Sequence, residues 1–194
     1  MTTNNNDDEI FRKCVKQLKE RKIKVVAFDM DQTAVSVHSH GELRRDKLNE
    51  YLLQATPDFV KLIPRLHEEG IGLAIATHSD EAEFRGEIKP DTHVLGSEIA
   101  KALVEKYFSC EIASAFLIIA YNPRVRPGGD KEENKIKRYH MHNISEHFKC
   151  RPEEILFLDD TESVVKDCNE FCGVNTILVD PRRGFQIHDI LDNL

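Results

Sequence analysis

Asp29 and Asp31 stand two residues apart at the end of the apolar run VVAF, residues 25–28, and are followed by Gln32 and Thr33. Two carboxylates that close, at the end of an interior strand, repel each other and lose hydration. The pair is costly unless a cation joins it. In open α/β sheets the carboxyl ends of the strands are where ligands bind. Two more apolar runs end in the same manner. IGLAIAT stops at Thr77, with His78, Ser79 and Asp80 beyond it, and EILFLDD stops at Asp159 and Asp160. Acids arriving from two strands make an oxygen-rich site with few protein ligands, which suits Mg²⁺ better than Zn²⁺. The pattern points to phosphoryl transfer at a divalent metal.

These residues meet only if their strands lie parallel in one sheet, and the rest of the chain reads that way. From Asp7, the apolar residues Ile10, Phe11, Cys14, Val15 and Leu18 recur at helical spacing, with a basic end over 19–24. Residues 48–53 read as helical. A second helix opens at Asp58, carries Phe59, Leu62, Ile63 and Leu66, and stops at Gly70; Pro64 inside it predicts a kink or a late start. Ser97 is the expected N-cap of a helix through Ile99, Leu103 and Tyr107. A third strand is AFLIIAY, a helix covers 135–148, and another covers 162–171 with Gly173 as its cap. NTILVD is a fifth strand and a short helix closes the chain. Residues 81–84 read as helical and 86–95 as a loop. The stretch AVSVHSHGELRRDKL after Thr33 reads as a small hairpin or an irregular flap around His40 and Gly41. Strands alternating with helices imply a doubly wound α/β architecture, a parallel sheet of about five strands covered on both faces.

At 194 residues, with 40% apolar and 31% charged, the chain reads as a globular domain over 7–194 behind a disordered tail, 1–6. A formal charge of -7 argues against nucleic acid as a default partner. No apolar run approaches membrane-spanning length, and the polar start is unlike a signal peptide. Five scattered cysteines suit a reducing compartment, cytoplasmic or nuclear.

Taken in order, VVAFDMDQT, GLAIATHS, a lysine near the start of the helix before the fourth strand, and ILFLDD resemble the four motifs of the haloacid dehalogenase-like (HAD) superfamily. They run from Val25 to Asp160. The resemblance implies a Rossmann-like fold and a phosphatase. Asp29 would be the nucleophile that forms an aspartyl-phosphate, and Asp31 the acid that protonates the leaving oxygen and later activates water. Dehalogenases of the superfamily lack an acid at that second position. Thr77 would bond the transferring phosphoryl group with help from the His78 backbone amide. Mg²⁺ would be held by the Asp29 carboxylate, the Asp31 carbonyl and Asp160, with Asp159 orienting the site from behind. Lys131, Lys135 and Lys137 are all candidates for the lysine. Lys137 is preferred because KRYHMHNISEHF is similar to the small magnesium-dependent phosphatases, where a histidine follows the lysine by three residues, here His140. Val164 departs from the pattern, since many members place Asn or Asp there; Glu162, Ser163 and Asp167 are the nearby substitutes.

Roughly forty residues separate the first two motifs, and core helices take most of them. A capless or minimally capped enzyme is expected, open to a phosphorylated small molecule or a phosphoprotein, with a lid supplied only by a neighbouring subunit of a homo-oligomer. The alternatives are a phosphotransferase or phosphomutase, which needs a cap to exclude water, and an inactive phosphate-binding interaction protein on the same scaffold. Arg124 and Arg126, in the 122–134 loop after the third strand, are candidates for an anionic part of the substrate, balanced against ordinary surface charge. His38 and His40 are either substrate contacts or flap surface. His38 with His40, His140 with His142, and Cys168 with Cys172 raise zinc as a minor reading. The cysteines sit within one helix and no second close pair exists, so buried helix residues are preferred.

Overall fold

The computed structural model describes residues 5–40, 43–78, 91–120 and 137–194. Its elements in order are α1 (Asn5–Glu20), β1 (Val25–Phe28), a 3₁₀ turn (Arg45–Lys47), α2 (Leu48–Leu52), α3 (Pro57–Glu68), β2 (Gly72–Thr77), α4 (Gly96–Tyr107), α5 (Cys110–Ala115) and β3 (Phe116–Ala120). They continue with α6 (Arg138–Phe148), β4 (Ile155–Asp159), α7 (Glu162–Asp167), β5 (Asn175–Leu178) and α8 (Ile187–Asn193). All five strands pair in parallel in the order β3-β2-β1-β4-β5.

Alternation along the strands divides the core between the two faces. Val26, Phe28, Leu73, Ile75, Leu156 and Leu158 point to one side, where they meet Phe11 and Leu18 of α1, Phe59 and Leu62 of α3, and Leu103 of α4. Val25, Ala27, Ala74, Ala76, Ile155 and Phe157 point to the other, against Met141 and Ile144 of α6 and Val164 of α7. Strands buried on both faces read as unbroken apolar runs, which is why VVAF and ILFL stand out in the sequence. Each fully buried Phe or Leu contributes about 2 kcal/mol or more. Phe28 lies edge-on to both Phe59 and Phe185, with centroids 5.1 and 5.3 Å away. The strand that carries Asp29 is thereby tied to α3 and to the segment before α8.

The chain moves outward from β1 through β2 to β3, then crosses back to place β4 on the other side of β1. The order reverses between β1 and β4, and such a switch point opens a crevice at the carboxyl ends of the strands. Asp29, just past β1, donates its N–H to Leu158 of β4 at 2.8 Å, so the two acid-bearing ends are in register.

Several boundaries differ from expectation. α1 begins at Asn5, ahead of Asp7. α3 runs unbroken through Pro64 and opens at Pro57 rather than Asp58, a position where a missing N–H costs nothing. Gly70 follows it with φ +70°. Leu95, not Ser97, precedes α4, and Ser97 lies in its first turn. α5 was not anticipated; its signal was Ser109, whose hydroxyl caps it by accepting the Ile112 N–H at 3.4 Å. The 162–171 helix is α7 followed by one π-helical turn, Cys168–Cys172, before Gly173. Residues 31–40 form turns rather than a described hairpin strand, and Val35 bridges Ala55 instead. Gly41 and the expected helix over 81–84 lie outside the described residues, as does most of the loop over 86–95.

Candidate active site

Asp29 and Asp31 are held by the tight turn that ends β1. The Asp29 and Met30 carbonyls accept the N–H groups of Ala34 and Val35, at 3.2 and 2.9 Å, and Gln32 takes a left-handed φ of 56°. Thr33 is fully buried beneath, where its carbonyl accepts the Phe185 N–H at 2.9 Å. This arrangement keeps one acid at the strand end and turns the next over the crevice.

The crevice is a cavity of about 450 Å³ whose lining includes Asp29, Asp31, Thr77, Lys137, Asp159 and Asp160. His78, His38, His40 and Val164 face the same space. Lys137, at the start of α6 and 2% exposed, donates to Asp29 Oδ1 and, at 2.8 Å, to Asp159 Oδ2. Asp159 Oδ1 also accepts the Thr161 N–H at 2.8 Å. Lys131 and Lys135 lie outside the described residues, as do Arg124 and Arg126 with the loop over 122–134.

The electrostatics are those of a site short of positive charge. Burial pushes the Asp29 carboxyl above its ordinary value of 3.8, with the Lys137 ammonium pulling the other way. Burial also opposes the charge on Lys137, but Asp159 and Asp29 outweigh it and keep the ammonium charged. The Asp160 carboxyl is raised by burial and by the neighbouring Asp159 charge. Its oxygens accept no hydrogen bond from another described residue, nor does the Asp31 carbonyl. Four carboxyl groups around one ammonium, with oxygens left to spare, form a donor set that fits a small divalent cation. Among the described residues no three His, Cys, Asp or Glu side chains converge on a metal position. Two carboxylates, one carbonyl and water form a donor set of the kind that Mg²⁺ accepts.

Thr77 closes the far side. It is 4% exposed, and its carbonyl accepts a hydrogen bond from His140 Nε2 at 2.9 Å. Burial and the Lys137 charge hold His140 down to about 3, so it is the neutral tautomer with its proton on Nε2. His140 thus ties the end of β2 to the helix that carries Lys137. Val164, 7% exposed, faces the cavity where an amide or acid was sought. Two of the three proposed substitutes are committed elsewhere: Asp167 forms a two-pronged pair with Arg138 at 2.6 and 2.9 Å, and Glu162 pairs with Lys166 at 2.6 Å.

Sequence reasoning missed how Asp31 is held. Tyr51 of α2 donates its hydroxyl to Oδ1, while Ser39 donates its N–H and hydroxyl to Oδ2 at 2.9 and 2.6 Å. His38 Nδ1 lies 2.8 Å from the same oxygen, and its ring stacks on His40 at 4.6 Å. Burial alone would raise Asp31, but the bonds from His38, Ser39 and Tyr51 outweigh it and hold the carboxyl below 3.8. A tyrosine on the apolar face of a short helix was the available signal, since a buried phenol needs a polar partner.

No family model and no curated protein matches the chain. Solved structures do. The N-terminal part of BF1531 from Bacteroides fragilis, containing a phosphatase domain complexed with Mg, matches with a TM-score of 0.56 and 14% identity over 93% of this chain. This chain spans 43% of that one. D,D-heptose 1.7-bisphosphate phosphatase from B. bronchiseptica, complexed with magnesium and phosphate, matches at 0.52 and 12% identity over 80% of each chain. The HAD domain of the effector protein Lem4 from Legionella pneumophila matches at 0.53 and 14% identity, over 88% of this chain and 92% of that domain. At these identities the likeness is one of fold: the chain has the Rossmann-like, HAD-type architecture.

Proposed function

We propose that this chain is a Mg²⁺-dependent phosphatase that hydrolyses a phosphate monoester through an aspartyl-phosphate on Asp29. The observation that carries the reading is the crevice at the β1/β4 switch point. There Asp29, bound by Lys137, shares one cavity with Asp31, Thr77 and Asp160. Solved structures of like fold that hold magnesium, one of them with phosphate, support it.

In this mechanism Asp29 attacks phosphorus and the ester oxygen leaves with a proton from Asp31. Asp31 then takes a proton from water, which attacks the phosphorus and frees Asp29. Lys137, the Thr77 hydroxyl and the His78 N–H hold the phosphoryl oxygens and balance their charge. Asp159 keeps Lys137 aimed at the site. The Asp29 carboxylate, the Asp31 carbonyl and Asp160 would hold Mg²⁺, which supplies positive charge to the phosphoryl oxygens when bound.

Between β1 and β2 the described residues hold only turns, a 3₁₀ turn and two helices, which supports an open, capless site. Such a site admits a phosphoprotein as readily as a small phosphorylated molecule. No helix among the described residues is long and apolar enough to cross a membrane. The test is hydrolysis of para-nitrophenyl phosphate with and without Mg²⁺, with Asp29→Asn as control. Metal-dependent turnover lost in the variant is expected. Absence of metal-dependent activity, or full activity in Asp29→Asn, refutes the reading and favours a binding protein.

A further inference from the structure

The carboxyl of Asp31 is gripped from two parts of the chain that none of the catalytic strand ends contains. Tyr51 takes Oδ1; Ser39 takes Oδ2 twice, through its N–H at 2.9 Å and its hydroxyl at 2.6 Å. The two anchors differ in kind. Tyr51 is 5% exposed and packs in the main core. Its helix α2 is held in turn by α4, where Tyr107 donates to the Leu52 carbonyl at 2.8 Å and Lys106 to Asn49 Oδ1 at 2.7 Å. Ser39 belongs to the turn over the crevice. One oxygen of Asp31 is therefore referenced to the rigid body of the domain and the other to the segment that covers the site.

A carboxyl on two rotatable bonds transfers a proton well only when held within about 3 Å of the reacting oxygen. Positioning to within about 0.5 Å requires neighbours that are themselves locked by packing, which α2 supplies and a surface turn alone would not. A hydroxyl can donate to a carboxylate and accept from a carboxylic acid. Tyr51 and Ser39 can thus keep hold of Asp31 in both halves of a turnover.

We propose that Tyr51, seconded by the Ser39 hydroxyl, is a positioning residue that fixes Asp31 where it can protonate the leaving oxygen of the ester. The inference rests on the phosphatase reading and adds the device that holds its acid in place. It carries a signature that loss of structure does not. A nitrophenolate leaves with little help from an acid, whereas an alkoxide leaves poorly without a proton. Misplacing Asp31 must therefore harm alkyl esters more than aryl esters.

The experiment compares kcat/KM for para-nitrophenyl phosphate and for glycerol 2-phosphate in the wild type, Tyr51→Phe and Ser39→Ala, with Mg²⁺ present. The ratio kcat/KM reports steps through departure of the leaving group, so slow release of phosphate from Asp29 does not mask the effect. In Tyr51→Phe the loss on the alkyl ester is expected to exceed the loss on the aryl ester by about tenfold or more, part of the roughly 100-fold or greater contribution of an acid. Ser39→Ala, on a turn rather than in the core, should show the same bias in weaker form and serves if Tyr51→Phe does not fold. Equal losses on both esters, or no loss, overturn the proposal. A wild type inactive on both esters refutes the phosphatase reading, and this inference with it.

Discussion

Replacing Lys137 with methionine keeps the length of the side chain and removes the ammonium that Asp29 and Asp159 share. The three side chains are 3%, 10% and 2% exposed, so bulk water cannot take its place. The variant must leave two carboxylates buried without a cation or protonate one of them. Protonating a carboxyl of ordinary pKa 3.8 at about pH 7 costs about 4 kcal/mol, at about 1.4 kcal/mol per pH unit. Breaking a buried ion pair by removing one partner independently suggests about 3–5 kcal/mol. A loss near 4 kcal/mol is a large share of a total stability of about 5–15 kcal/mol. Urea unfolding in chelator-treated buffer measures it. The carboxyls of the variant have a folded pKa above the unfolded one. The deficit should therefore be large near pH 7 and shrink as the pH falls toward about 4, where both states take up protons. Adding Asp159→Asn to Lys137→Met should recover part of the loss, since the second change removes a stranded charge. A single variant within about 1 kcal/mol of the wild type near pH 7, or a double variant as weak as the sum of its parts, refutes this account.

Two further outcomes test how the site is supported. Gly184 has φ +68°, and a Cβ there would come 2.6 Å from the Thr56 methyl and 3.2 Å from the Thr33 carbonyl. Gly184→Ala should lower stability by about 2 kcal/mol or more in thermal or urea unfolding; a neutral result would mean the turn behind Thr33 can yield. Glu154 accepts the Arg151 N–H at 2.8 Å and pairs with Lys24 at 3.1 Å, and these contacts hold it down to about 2. Its contribution is therefore present above the ordinary value of 4.5 and lost as the pH falls toward about 2. The difference in urea midpoint between wild type and Glu154→Gln should close over that window, and a gap constant with pH would contradict it.

The local sequence determined a good deal here. Strands buried on both faces must be continuous apolar runs, so VVAF, GLAIAT and ILFLD declared themselves, and with them the polar residues at their ends. Alternation of strands and helices then implied a parallel sheet, and a parallel sheet puts Asp29, Thr77 and Asp159 on one edge without further information. Short-range signals that compete with one another were less legible. Pro64 did not break α3, because the buried face of Phe59, Leu62, Ile63 and Leu66 outweighs one missing hydrogen bond. Ser97 fell inside the first turn of α4, and the N-cap position went to Leu95. Tertiary structure alone decided the contacts between residues far apart in the chain. Lys137 reaches Asp29 across 108 positions because α6 packs on the face of the sheet shared by β1, β2 and β4. His140 meets Thr77 across 63, and Tyr51 meets Asp31 across 20. Spacing along a chain reports what one strand or helix can do by itself. Which side chain completes a charge or grips a carboxyl depends on how elements pack, and that is set by burial shared over the whole core.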